Sequence, residues 1–126
     1  MHMSNTGAAP LELTVSTTGW LGRQKKPEPA EVIKFNRFHM TFNGKRQMKP
    51  GQLIQVNLAA GSHAIKEVSA RVETCEPCGP HYQCVVRFVL ERPDKKPYRE
   101  AISILKSIEQ AVPSNLIAPL HMQIHS

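Results

Sequence analysis

Aspartate is almost missing from this sequence: Asp94 stands alone, and acidic side chains number 10 against 16 lysines and arginines. Asp94 lies in a charged connector, and there is no Gly-rich phosphate loop, His-Glu-x-x-His or Gly-x-Ser-x-Gly. No catalytic constellation is assembled, and an enzyme is not expected. Aromatic residues make up only 6%, so aliphatic and β-branched side chains must build the core. No run approaches the length of apolar chain that a membrane span requires. Met1 to Pro10 has neither a basic n-region nor an apolar h-region; it reads as a flexible N-terminus, not a secretory signal. Cysteines number three, and an odd count is not an extracellular disulfide framework. At 126 residues, 40% hydrophobic and 21% charged, the chain fits one globular domain that needs no metal or disulfide staple. The expectation is a soluble cytoplasmic domain.

The cations are unevenly placed. Arg23, Lys25, Lys26, Lys34, Arg37, Lys45, Arg46 and Lys49 crowd one stretch, opposed there only by Glu28 and Glu31. That surplus equals the whole chain's net charge of +6, and the remainder is neutral. A basic segment in a neutral domain attracts anions: phosphate, nucleotide, nucleic acid, acidic protein or lipid headgroups. Its plain alternative is a solvated face that keeps the protein soluble.

Alternation with period two dominates the first ninety residues. Leu11, Leu13 and Val15 mark a half-buried strand that runs toward Trp20 and breaks at Gly22. Arg23 to Pro29 holds two prolines and reads as a loop. Ala30 to Phe35 is the next strand; Phe38, Met40 and Phe42 alternate in the one after, all three on the core face. Asn43-Gly44 and Pro50-Gly51 are turn signals. Ile54, Val56 and Leu58 follow, and Gly61-Ser62 turns the chain again. Val68, Ala70, Val72 and Thr74 share one strand face. Pro77 to Pro80 is a hairpin tip, and Tyr82, Cys84, Val86, Phe88 and Leu90 point one way on the return. His39 and His63 read as strand-end or turn residues. Short strands with turn residues between them predict a sandwich or small barrel.

The period then changes to that of a helix. Tyr98, Ala101, Ile102, Leu105, Ile108 and Val112 form one apolar stripe, with Pro97 in the first turn and Pro113 ending the helix near Ala111. The stripe plugs an end of the barrel or lies against its wall. In the tail from Pro113 to Ser126, Leu116, Ile117, Leu120, Met122 and Ile124 are apolar enough to pack back on the barrel or to dock on a partner.

Cys75, Cys78, His81 and Cys84 stand three apart, which invites a zinc reading. The strand faces oppose it: alternation from Val68 to Thr74 places Cys75 on the outer face, and Cys84 lies on the inner one. Cys84 is therefore expected as a small buried residue, with Cys75 and Cys78 at an exposed tip.

From about residue 11 to 112 the order of elements resembles the PilZ domain family. The residues that carry the likeness are Val32-Ile33-Lys34-Phe35-Asn36-Arg37-Phe38-His39-Met40-Thr41-Phe42, then Met48-Lys49-Pro50-Gly51-Gln52-Leu53-Ile54-Gln55-Val56-Asn57-Leu58, and the hairpin Val68 to Leu90 with its Val86-Arg87-Phe88 ending. The resemblance implies a mainly β fold, a six-stranded antiparallel β-barrel with a C-terminal α-helix spanning 11–112. PilZ domains commonly bind cyclic di-GMP through an Arg-x-x-x-Arg arm and an Asp/Asn-x-Ser-x-x-Gly motif. Here the aligned motif is Lys34-Phe35-Asn36-Arg37-Phe38-His39: lysine, asparagine and histidine replace the three signature residues. The arm is reduced to Arg23-Gln24-Lys25-Lys26, and a lysine cannot reproduce an arginine's bidentate fork. What the resemblance implies is thus a signalling or adaptor domain with altered or lost nucleotide binding. Arg23, Lys25, Lys26, Lys34 and Arg37 would form its anion-binding face, with Asn36 as a polar reader. No cofactor is implied beyond cyclic di-GMP as a ligand, and the partners would lie in motility, pilus or exopolysaccharide machinery. The alternative is a small basic barrel that binds single-stranded nucleic acid, with Phe35, Phe38 and Phe42 inside the basic stretch.

Overall fold

A computed structural model of the chain describes residues 8–17, 26–90 and 96–119. Trp20, Arg23, Lys25, Asp94, Leu120, Met122 and Ile124 lie outside the described residues. The described residues form six strands: β1 (Glu12–Thr17), β2 (Glu28–Phe35), β3 (His39–Gly44), β4 (Leu53–Ala60), β5 (His63–Cys78) and β6 (His81–Phe88). All pairs are antiparallel, and the order β1-β2-β3-β6-β5-β4 closes because β1 pairs with both β2 and β4. Closure leaves none of the six as an edge. A helix α1 (Lys96–Ala111) follows the barrel, then a single 3₁₀ turn (Ser114–Leu116).

The inward positions form one core. Phe35, Met40, Phe42, Ile54, Val56, Leu58, Val72 and Val86 are all buried, and Phe35 meets Phe88 edge-on with ring centroids 6.0 Å apart. Leu105 and Ile108 of α1 join the same core. The helix packs on β5 and β4, and its Glu109 reaches across to Arg37 at the β2–β3 corner. Those attachments lie on opposite sides of the ring of strands, so α1 closes one end of the barrel, here called the helix end. No helix among the described residues is long and apolar enough to cross a membrane.

The turns have clear local causes. Gly51 adopts φ 89, and Gln52 N–H donates to Lys49 O at 2.9 Å; with Pro50 before it, this is a type II turn that requires glycine. The β5–β6 tip places Gly79 at φ 62 directly before Pro80, a two-residue connection of the II′ kind.

Three expectations are corrected here. β2 begins at Glu28, so the loop ends earlier than Pro29; β3 first pairs at Glu31, and a strand lacking a neighbour on one side tolerates the N–H that Pro29 lacks. Asn43 and Gly44 are the last residues of β3, paired with Gln83 and Tyr82; the chain leaves the sheet only after them. Phe38 is not on the core face: it is 41% exposed, because it sits on the corner before β3 begins.

Bulges explain the rest. The register slips by one residue between Val32 and Lys34, between Val56 and Leu58, and between Val72 and Thr74. Each slip reverses which side chains face inward beyond it. Past the third, Thr74 is exposed, and Cys75 turns toward Cys84, its direct partner across the ladder. The expectation of an outward Cys75 is therefore overturned.

Candidate functional site

The strand-end motif lies at the helix end, where β2 turns into β3. Asn36 makes the corner: its Oδ1 accepts from both Phe38 N–H and His39 N–H at 2.8 Å, and its own N–H donates to His39 O at 2.9 Å. Asparagine suits this place because its short amide can bond the backbone two and three residues on. Its Nδ2 group donates to Ala118 O and Pro119 O at 3.4 and 3.5 Å, both at the long limit of such bonds. Asn36 is 1% exposed.

The chain's own C-terminal segment occupies the motif. Ile117 bridges Phe35 in parallel, and Ala118 N–H donates to Phe35 O at 2.9 Å. Lys34 Nζ donates to Asn115 O at 2.7 Å. Arg37 directs two guanidinium nitrogens at Glu109 Oε1, each at 2.9 Å. Leu116 and Ile117 pack, half-buried, against the core. Lys34, Asn36 and Arg37 are thus brought together, but around an internal segment. Asn36, expected as a polar reader of a ligand, has its amide inside the protein and engaged on both its oxygen and its nitrogen.

The cationic stretch does not make one face. Lys26, Lys45 and Lys49 are exposed at the opposite, hairpin end, where Arg46 grips Glu28 through Nε–Oε1 and Nη2–Oε2 contacts of 2.9 Å. An eight-residue β2 separates the two groups by roughly 25 Å. Of the cations expected to form one anion-binding face, Lys34 and Arg37 stand together and Lys26 apart, because residues near the start and end of β2 emerge at opposite ends of the barrel; Arg23 and Lys25 lie outside the described residues.

A different surface comes together on the outside. Ladder register sets His39 beside Arg87, Arg87 beside Arg71, and Arg71 beside Leu53, a row across β3, β6, β5 and β4. Two like charges directly opposite destabilise a sheet. Glu73 offsets this by accepting from Arg87 Nε at 3.0 Å, while Arg71 donates to Gly51 O at 3.1 Å. Leu53 is 47% exposed, and with Phe38 it is one of the two large apolar side chains exposed among the described residues. A groove of about 470 Å³ runs between Phe38, Arg71, Glu73, Arg87, Leu90 and Ile102. His39 borders this row with Nε2 3.8 Å from Glu73 Oε1 and with Nδ1 buried and unpartnered. Burial first, and Arg87 second, hold its pKa below the usual imidazole value against the opposing pull of Glu73. The groove is apolar with Arg71, Arg87 and Glu73 along its rim, a net positive edge that suits a ligand carrying both carboxylate and bulky apolar groups.

Sequence reasoning missed this row. Counting evenly back from the Gly79-Pro80 tip pairs Arg71 with Phe88; the bulge at Glu73 moves Arg87 into that place. Cys78 and His81 are exposed at the tip, and among the described residues no group of three or more His, Cys, Asp or Glu side chains is placed to hold a metal ion. Compared with known proteins, the chain matches no family model and no curated protein.

Proposed function

We propose that the protein is a PilZ-like adaptor barrel of cyclic di-GMP signalling that acts by binding another protein, its nucleotide motif having been turned to internal use. The observation that carries this reading is the engagement of Lys34, Asn36 and Arg37 by the chain's own residues 109–119. A guanine base needs the same donors and acceptors that Asn36 now uses on the backbone, and a phosphate needs arginine forks free of Glu109. The outer row supplies the docking surface in exchange. Two arginines flanked by exposed Phe38 and Leu53 complement a partner segment bearing acidic and bulky apolar side chains, of the kind that motility, pilus or exopolysaccharide machinery would present. The nucleic-acid reading draws less support, since of the three phenylalanines in the basic stretch Phe35 and Phe42 are 0% exposed and only Phe38 is outside to stack on a base.

Calorimetry with cyclic di-GMP at moderate salt tests the reading. The expected result is no saturable heat at high micromolar protein. Saturable heat that Arg37→Ala abolishes would overturn it.

A further inference from the structure

The Cys75-Glu76-Pro77-Cys78 sequence looks like a redox dithiol by spacing, but the fold disqualifies that pair. Both cysteines lie in β5, and three residues of extended strand set their Cα atoms about 10 Å apart, beyond the roughly 7 Å limit for a disulfide. Cys78 instead stands exposed opposite His81. The close pair is Cys75 and Cys84, with sulfurs 2.7 Å apart. They are ladder partners, which places their Cα atoms about 4.5–5.5 Å apart, inside the span that disulfides bridge. Their environments differ. Cys84 is 0% exposed, while Cys75 is half-buried and reachable from solvent. Cys75 is also fixed in place: its sulfur accepts Met48 N–H at 3.3 Å. The two-residue Gly79-Pro80 tip sets this pairing, and the bulge at Glu73 reconciles it with the inward face of Val68, Ala70 and Val72.

We infer that Cys75 and Cys84 are a peroxide-oxidisable pair that closes to a disulfide across the β5–β6 hairpin. Cys75 is the sulfur that meets the oxidant. As thiolate it attacks one oxygen of hydrogen peroxide; the O–O bond breaks, hydroxide leaves and is protonated to water, and Cys75 becomes a sulfenic acid. Cys84 then attacks the Cys75 sulfur. The S–O bond breaks, and a second water departs with the proton of Cys84. Two thiols lose two electrons in total, and one peroxide becomes two waters. Cys84 suits the second role by position, as the ladder partner whose sulfur lies against that of Cys75. Burial first, and the neighbouring Cys75 second, push its pKa up to about 12, so its proton must pass to the departing hydroxide as the S–S bond forms. The inference is independent of the adaptor reading.

The test uses the full chain carrying Cys78→Ser, whose remaining thiols are Cys75 and Cys84. After equimolar hydrogen peroxide, both thiols should vanish from titration in denaturant. The chain should remain a monomer without reductant, weigh two hydrogens less, and recover both thiols with dithiothreitol. The same treatment of Cys75→Ser should yield no intramolecular bond; a wild-type circular dichroism spectrum confirms that this half-buried site tolerates the change. Thiols that persist in the Cys78→Ser chain, a gain of oxygen that dithiothreitol does not reverse, or an internal bond in Cys75→Ser would each overturn the inference.

Discussion

His39 is held neutral at the edge of the outer row, with one ring nitrogen buried and an arginine as its ladder partner. Its folded pKa lies below the unfolded value, which is about 6.5. The unfolded chain therefore takes up the proton first, and folding stability falls as the pH drops from near 6.5 toward the folded value, then levels off. Urea unfolding midpoints of wild type should decrease across that window more than those of His39→Gln. Parallel curves would show that His39 is not the titrating group. The neighbouring residues show why single side chains were hard to place from sequence. Phe38 alternates correctly with Met40 and Phe42, but the alternation belongs to a strand that begins only at His39. Asn36 was legible as a polar residue where β2 ends; that its amide closes the corner and meets Ala118 depends on chain 82 residues away, which local pattern cannot carry.

At the scale of elements, the helix was the most legible feature, because a 3.6-residue stripe bounded by Pro97 and Pro113 admits one reading. Leu105 and Ile108 are fully buried by it. Leu105→Ala should cost about 3 kcal/mol, the range for emptying a buried leucine site, measured as a lowered urea midpoint. Exposed Lys106 on the same helix should tolerate alanine within about 0.5 kcal/mol. Equal effects at the two positions would mean that α1 does not close the barrel. Strand existence was similarly clear, yet strand faces were not. A bulge adds one residue without any composition signal, so inward parity carried from Val68 fails after Glu73. The Cys75–Cys84 pairing was nonetheless legible by another route: residues equidistant from the two-residue Gly79-Pro80 tip are ladder partners, and ladder partners share a face.

For the whole molecule, the six-stranded barrel follows from short alternating strands and turn residues, and the structure has that architecture. The charge surplus was equally visible, but its meaning depended on topology. Antiparallel β2 carries Lys26 and Lys34 toward opposite ends, so one dense stretch of sequence becomes two separate clusters. One of them, Lys34 with Arg37, is bound to the chain's own C-terminal residues. The proposed loss of nucleotide binding rests on that internal attachment at Lys34, Asn36 and Arg37. Hydrogen exchange of the Ala118 amide, followed with and without cyclic di-GMP, measures it most directly, since that N–H is bonded to Phe35 O. The account predicts an amide protected in wild type, unchanged by the nucleotide, and exposed by Asn36→Ala, whose lost bonds release the segment. Exchange at the rate of a free chain, or release of Ala118 by cyclic di-GMP, would contradict it.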